Sequence, residues 1–286
     1  MWLKELESIE LVRNGMFTFL AKIDECGPQC LTYLKDSSFL PVLKDKHNVC
    51  VITTKELSGI IPLSNAVCVS DNPERAFFEI HNYLAQHTDF YGTVKLTDIS
   101  ESAIINEAAY IDSHNVRIGN NVRVDAGAII LRNTHIEDNV IIQAGTVIGA
   151  DGYKYMPFVD GTFLTVKHAG GVHIHRDVEI ASNSVVAKGI FNANTIIGEG
   201  TKIDNLVHIS HQVQIGKNVL IVAGTSIGGF VKIGDNVWIS LGTTIKNGVH
   251  IGDNAFISMG SVVINDAPPH KTIAGMPARV IGDSDI

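Results

Sequence analysis

Cysteine is scarce and unevenly placed: Cys26, Cys30, Cys50 and Cys68 all lie in the first 68 of 286 residues. Cys26 and Cys30 are four apart, but Cys50 and Cys68 form no second close pair, so a zinc–thiolate site lacks half its ligands. Buried, reduced thiols are the expectation. Positive charge is short as well, with 22 Lys and Arg against 30 Asp and Glu and a net charge of −8. That balance argues against a nucleic-acid backbone or an anionic membrane surface as partner. No apolar run approaches the roughly 20 residues of a membrane-spanning helix. The opening Met1-Trp2-Leu3-Lys4-Glu5-Leu6 lacks the apolar stretch of a secretory signal, and a cytoplasmic location is expected. Glycine is nearly absent from the first 97 residues, which hold 4 of the 26, and isoleucine follows the same skew. Two physically different segments therefore share the chain. Hydrophobic residues make up 45%, so each can bury a core.

The second segment repeats every six residues. Ile197, Ile203, Ile209, Ile215, Ile221, Ile227, Ile233, Ile239, Ile245, Ile251, Ile257 and Val263 are evenly spaced, and Ile118 to Ile148 and Ile174 to Val186 carry the same period. Neither a helix at 3.6 nor a strand at 2 explains this spacing. Hexapeptide repeats build parallel β-helices in which three six-residue units close one coil of 18 and the aliphatic residue points to the axis. Ile209, Ile227, Ile245 and Val263 should then stack as one ladder. β-branched side chains suit such stacking because their rotamers are already restricted. The glycine, asparagine or aspartate after the aliphatic position is expected to supply the positive φ of the corners.

The period fails between Ile148 and Ile174. A stretch of about 149–171 is too long for a corner, and a loop of that size in a solenoid is expected to serve function, extruded across a substrate groove. A tolerated insertion is the alternative. Residues 1–97 read as a small α/β domain. Val49–Thr53 and Ala66–Val69 are apolar runs of strand length. Asp71-Asn72-Pro73-Glu74 opens a helix that buries Ala76, Phe77, Ile80 and Leu84. The remaining assignments are a repeat domain over 98–265 and a tail over 266–286.

Two motifs carry a resemblance. Ile142-Gln143-Ala144-Gly145-Thr146-Val147-Ile148-Gly149-Ala150-Asp151-Gly152-Tyr153 resembles the UDP-3-O-acylglucosamine N-acyltransferases of lipid A synthesis. So does Ile203-Asp204-Asn205 followed by Ile209-Ser210-His211-Gln212-Val213-Gln214-Ile215-Gly216. The resemblance covers nearly the whole chain. It implies a left-handed coil, a small α/β domain before it and a homotrimer. It implies that His211 is the general base, since an amine attacking a thioester must lose a proton and an imidazole suits that task. Taken by itself, a lone corner histidine is more often solvated surface. The family's uracil clamp falls on Tyr33 and Phe39, and Asp204 and Asn205 are expected to contact the sugar or orient the histidine.

Three departures complicate this picture. Asp36 replaces a family asparagine, and Gly248 stands where the family has a second active-site histidine, with His250 two residues away. The family's helical C-terminal extension does not follow the repeats. Instead Lys271-Thr272-Ile273-Ala274-Gly275-Met276-Pro277-Ala278-Arg279 resembles the tail of CoA-dependent hexapeptide acetyltransferases. The expectation drawn is a CoA thioester as donor of a short acyl group, with Lys271 and Arg279 on its phosphates. The acceptor is a UDP- or dTDP-linked amino sugar, and no metal is expected. The alternative is the lipid A enzyme itself, drawing a 3-hydroxyacyl chain from acyl carrier protein. Two remoter readings are a zinc hydrolyase using His168 and His173, and a non-catalytic scaffold.

Overall fold

A computed structural model describes residues 1–6, 9–158 and 161–284. The chain forms two compact units, Met1–Thr93 with Tyr153–Lys167, and Val94–Gly152 with His168–Ile286.

The first unit is built on five strands, β1 (Glu10–Arg13), β2 (Phe19–Leu20), β3 (Cys30–Leu34), β4 (Cys50–Thr53) and β5 (Ala66–Val69), in the order β1-β5-β4-β3-β2. β2 to β5 are parallel, and β1 closes one edge antiparallel to β5. β4 and β5 are buried along their whole length, which is why they read as unbroken apolar runs. β1 is mostly exposed and β2 has two residues, so neither leaves a readable pattern. The helix Pro73–His87 starts as its sequence predicts, with the Asn72 side chain accepting the Arg75 N–H at 3.0 Å. It buries Ala76, Phe77, Ile80 and Leu84, together with Phe78 and His81. All four cysteines are buried free thiols, and burial pushes those of Cys50 and Cys68 up to about 12.

Of the excursion from the repeats, Tyr153–Lys167 belongs to this unit. Tyr155–Pro157 pairs antiparallel with Phe163–Thr165. Asn82 donates to the Thr165 carbonyl at 2.8 Å and accepts the Lys167 N–H at 2.9 Å, while the Arg75 guanidinium lies 4.5 Å from the Phe158 ring centroid. Residues 159–160 lie outside the described residues.

The second unit is a three-faced parallel coil whose sheets contain 10, 8 and 8 strands among the described residues. Pairing advances by 18 residues, so Ile209 meets Ile227, Ile227 meets Ile245 and Ile245 meets Val263. Each is nearly inaccessible, and the stacked aliphatics form one continuous core. The corners differ from expectation. The left-handed residue is the third after each inward aliphatic, as in Asn218 after Ile215, Asn236 after Ile233 and Gly242 after Ile239. The glycine directly after the aliphatic has another cause. A Cβ on Gly216 would lie 2.4 Å from Asp235 Oδ1, and one on Gly234 2.1 Å from Asp253 Oδ1, so the neighbouring coil leaves no room for one.

The tail continues the coil instead of leaving it. Lys271–Gly275 adds parallel to Phe256–Ile257, and Ala278–Asp283 folds back antiparallel on it. A strand end placed over the last coil covers apolar groups that a solenoid would otherwise expose. Within the ladders, packing sets the cost of each methyl group. Ile233→Val is expected to lower unfolding free energy by about 0.5–1.5 kcal/mol, read as a lower denaturant midpoint with unchanged slope.

Candidate active site

The strand His208–Ile209 ends at a turn that holds His211. The residue is only 5% exposed, which corrects the solvated corner that a lone histidine suggests. Four neighbours of the same unit enclose it. The His168 ring stands edge-on with centroids 5.6 Å apart, and the Phe230 ring does so at 4.9 Å and 85°. Gly229 presents bare backbone: a Cβ there would be 2.6 Å from His211 Cε1 and 2.9 Å from Nε2. A Cβ on Gly152 would come within 3.0 Å of His211 Cδ2 and 2.7 Å of His168 Nε2. Gly152 and His168 are the residues at which the chain leaves and re-enters the coil around the excursion. Both crossings are therefore made beside His211.

The backbone here is strained in a way the repeat exposes. Between Ile197 and Gly260 the left-handed corner residue is Gly or Asn except at Leu206, Gln212 and Phe230, with φ of 59°, 57° and 63°. A bulky side chain in that conformation costs on the order of 1–3 kcal/mol and persists where the surroundings demand it. Gln212 follows His211, Phe230 packs on its ring, and Leu206 follows Asp204 and Asn205. The three exceptions thus fall on the two corners that carry the motif residues. Phe230 also donates its N–H to the His211 carbonyl at 3.1 Å, tying ring wall and histidine through the main chain.

Asp204 and Asn205 occupy a different corner from His211, so orientation of the ring by Asp204 within one chain is not what the fold provides. Asp204 Oδ1 accepts the Asn205 N–H at 2.7 Å and Oδ2 accepts the Ala223 N–H at 3.2 Å, while Asn205 Oδ1 accepts the Ser182 N–H at 3.0 Å. The first is local to the corner, and the other two stitch one coil to the next. Both residues also line a groove with Gln143, Lys202, Leu220 and Trp238. Gly248 lies on the same edge as His211, two coils on, its N–H donating to the Gly229 carbonyl at 2.9 Å. Its φ is +74°, and nothing stands within 4 Å of a Cβ built there.

Tyr33 and Phe39 belong to the first unit. Tyr33 packs against Phe77 and Phe78 with centroids 5.1 and 6.2 Å away, and its hydroxyl donates to Glu74 Oε1 at 2.7 Å. Burial, followed by that bond to a carboxylate, raises its pKa. Phe39 is 45% exposed at the end of a short 3-10 turn, so it is not core. Asp36 caps that turn by accepting the Ser38 N–H at 2.9 Å, a local reason for an acid at this position.

His168, Gly229 and Phe230 are site residues that sequence reasoning does not place. A signal for Phe230 was available, since it breaks the Gly or Asn rule three residues after Ile227. His168 and His173, paired above as metal ligands by spacing, are separated by the fold: His168 joins His211, while His173 joins Glu137.

The coil agrees with what is known of related proteins. The family profile of the bacterial transferase hexapeptide (six repeats) matches residues 115–150, 194–229 and 230–265. UDP-3-O-acylglucosamine N-acyltransferase of Helicobacter pylori strain J99 is 31% identical over 238 residues, 73% of this chain and 68% of that protein. The protein of the same description from Azorhizobium caulinodans is 31% identical over 256 residues, 78% of this chain and 71% of that one. Among solved structures, UDP-N-acetylglucosamine acyltransferase from Campylobacter jejuni superposes with a TM-score of 0.54 at 24% identity, covering 64% of this chain and 73% of that chain. At that identity the likeness concerns the fold, a left-handed parallel β-helix.

These relatives overturn the CoA donor expected from the tail. They are the enzymes whose resemblance implies acyl carrier protein, and they favour the alternative over the short-acyl reading. The residues offered for the CoA phosphates have local structural tasks. Lys271 forms an ion pair with Asp283 across the terminal strand pair, and Arg279 donates to the Ala278 carbonyl at 3.0 Å.

Proposed function

The chain belongs to the UDP-3-O-acylglucosamine N-acyltransferase family, and from that we propose that it moves a 3-hydroxyacyl chain from acyl carrier protein to the amine of UDP-3-O-acylglucosamine. The observation that carries this reading is 31% identity over 78% of the chain, a span longer than the coil alone. The chemistry assigned to the site is one acyl transfer. The amine nitrogen bonds to the thioester carbon while His211 accepts its proton. The carbonyl oxygen becomes an oxyanion, for which the Gly229 N–H beside the ring is the proposed donor. The C–S bond then breaks, and the proton passes to the departing thiolate. Burial of His211 supports this assignment, because a ring held by packed neighbours is already in position when substrate arrives.

Tyr33 and Phe39 are proposed to hold the uracil, a role that the exposed Phe39 ring supports. Asp204 and Asn205, in their groove, are assigned to the sugar. A homotrimer is proposed as well. Leu206, Leu220, Trp238, Leu241 and Met259 are all exposed on the coil, and neighbouring subunits would cover apolar surface of this kind.

The test is an acyl-transfer assay with the full chain, following amide product by mass spectrometry. UDP-3-O-acylglucosamine is offered with 3-hydroxyacyl-acyl carrier protein, and in parallel with the matching CoA thioester. Product formed from the carrier-protein donor is expected. Amide formed only on a different nucleotide-linked amino sugar would overturn the acceptor assignment.

A further inference from the structure

A second histidine cluster stands on another part of the coil, outside the group around His211. His173 and His175 flank the inward-pointing Ile174, so the alternation of the strand Gly171–Ile174 and its continuation turns both rings outward. One coil earlier, His135 is in register with His173, and the two rings stack with centroids 4.5 Å apart and planes 13° from parallel. Glu137 reaches both histidines at once. Its Oε1 lies 2.9 Å from His173 Nε2 and 3.0 Å from His175 Nδ1. Its Oε2 accepts the Arg176 N–H at 3.0 Å.

We infer that Glu137, His173 and His175 form a site for a divalent transition-metal ion of the zinc class, with a further coordination position left for water. Each residue offers one donor atom, and these atoms lie within 4.8 Å of one another. Ligands about 2.0–2.2 Å from a zinc ion stand roughly 3.3 Å apart in a tetrahedron, so the side chains need only small shifts to take one up. Two imidazole nitrogens and one carboxylate oxygen suit zinc and its neighbours in the first transition row. Magnesium and calcium prefer oxygen ligands alone. The supports of a metal site are present too: the Arg176 amide fixes the carboxylate and the His135 ring fixes that of His173.

Position in the chain gives such an ion a purpose. Glu137 and His173 are 36 residues apart because the excursion lies between them, yet they sit on adjacent coils. An ion there would cross-link the repeat where it is interrupted, leaving the site around His211 untouched.

The test uses the full chain, stripped with a chelator and titrated with Zn²⁺ against a chromophoric competitor. One ion per chain is expected. Loss of an outer-shell partner typically costs 10–100-fold in metal affinity, so loss of a ligand in Glu137→Gln or His175→Gln should cost about 100-fold or more. His250→Gln and His211→Gln should bind as the parent does. Zn²⁺ should raise the unfolding temperature of the parent but of neither ligand variant. Substituted Co²⁺ should give a d–d spectrum without thiolate charge transfer. If a variant misfolds, X-ray absorption of the zinc-loaded parent still decides, through two imidazoles in the first shell. Equal binding by parent and ligand variants, a thiolate band, or a shell without imidazole would overturn the site.

Discussion

His211→Gln is expected to lower kcat for amide formation by about 10²–10⁴-fold, the usual contribution of a positioned general base. Glutamine keeps much of the volume but cannot take the amine's proton. KM for the nucleotide sugar should change far less, because the assigned role is to accept a proton and not to hold the sugar. The ring is enclosed by Phe230, His168 and two glycines, so the fold should survive; unchanged circular dichroism and oligomeric mass would establish that. Full activity in a folded variant would remove His211 from the mechanism.

Gly229→Ala should come next in size. Its φ lies outside the left-handed region, so alanine is not excluded there by backbone conformation. The added methyl carbon would lie 2.6 Å from His211 Cε1, and the ring has Phe230, His168 and Gly152 around it. It must therefore shift, and a displacement of about 1 Å at a reacting group costs on the order of 10² in rate. Gly216→Ala is the matched comparison, since its methyl would meet Asp235 Oδ1 at 2.4 Å, a contact between coils that does not involve His211. That variant should lose stability and keep kcat. If the two variants lost kcat equally, the loss would report general damage to the coil and not displacement of the base.

The two glycines also divide what is legible in a linear chain from what is not. The six-residue period names the core directly, because every inward position sees the same environment 18 residues on, and a uniform environment selects the same side chain. Ile209, Ile227 and Ile245 fall into one ladder by spacing alone, and in the structure they pair. The helix Pro73–His87 was equally readable, since cap, proline and apolar spacing are local signals. Gly216 directly follows an inward isoleucine and Gly229 stands two after one, but neither position says what a side chain there would meet. What separates them is the residue 18 or 19 positions away that each one faces, an Asp side chain in one case and the His211 ring in the other.

The amino-acid sequence alone determined the coil, its register and the motif that carries His211, because these depend on periodicity and near-neighbour chemistry. Tertiary structure decided the rest. It buried His211 among Phe230, His168, Gly229 and Gly152. It turned the supposed cofactor cations Lys271 and Arg279 into parts of a terminal strand pair. It separated His168 from His173 and gave His173 a carboxylate from the preceding coil. Each of these outcomes depends on which residues the winding of the coil brings face to face, and spacing along one strand does not contain that information.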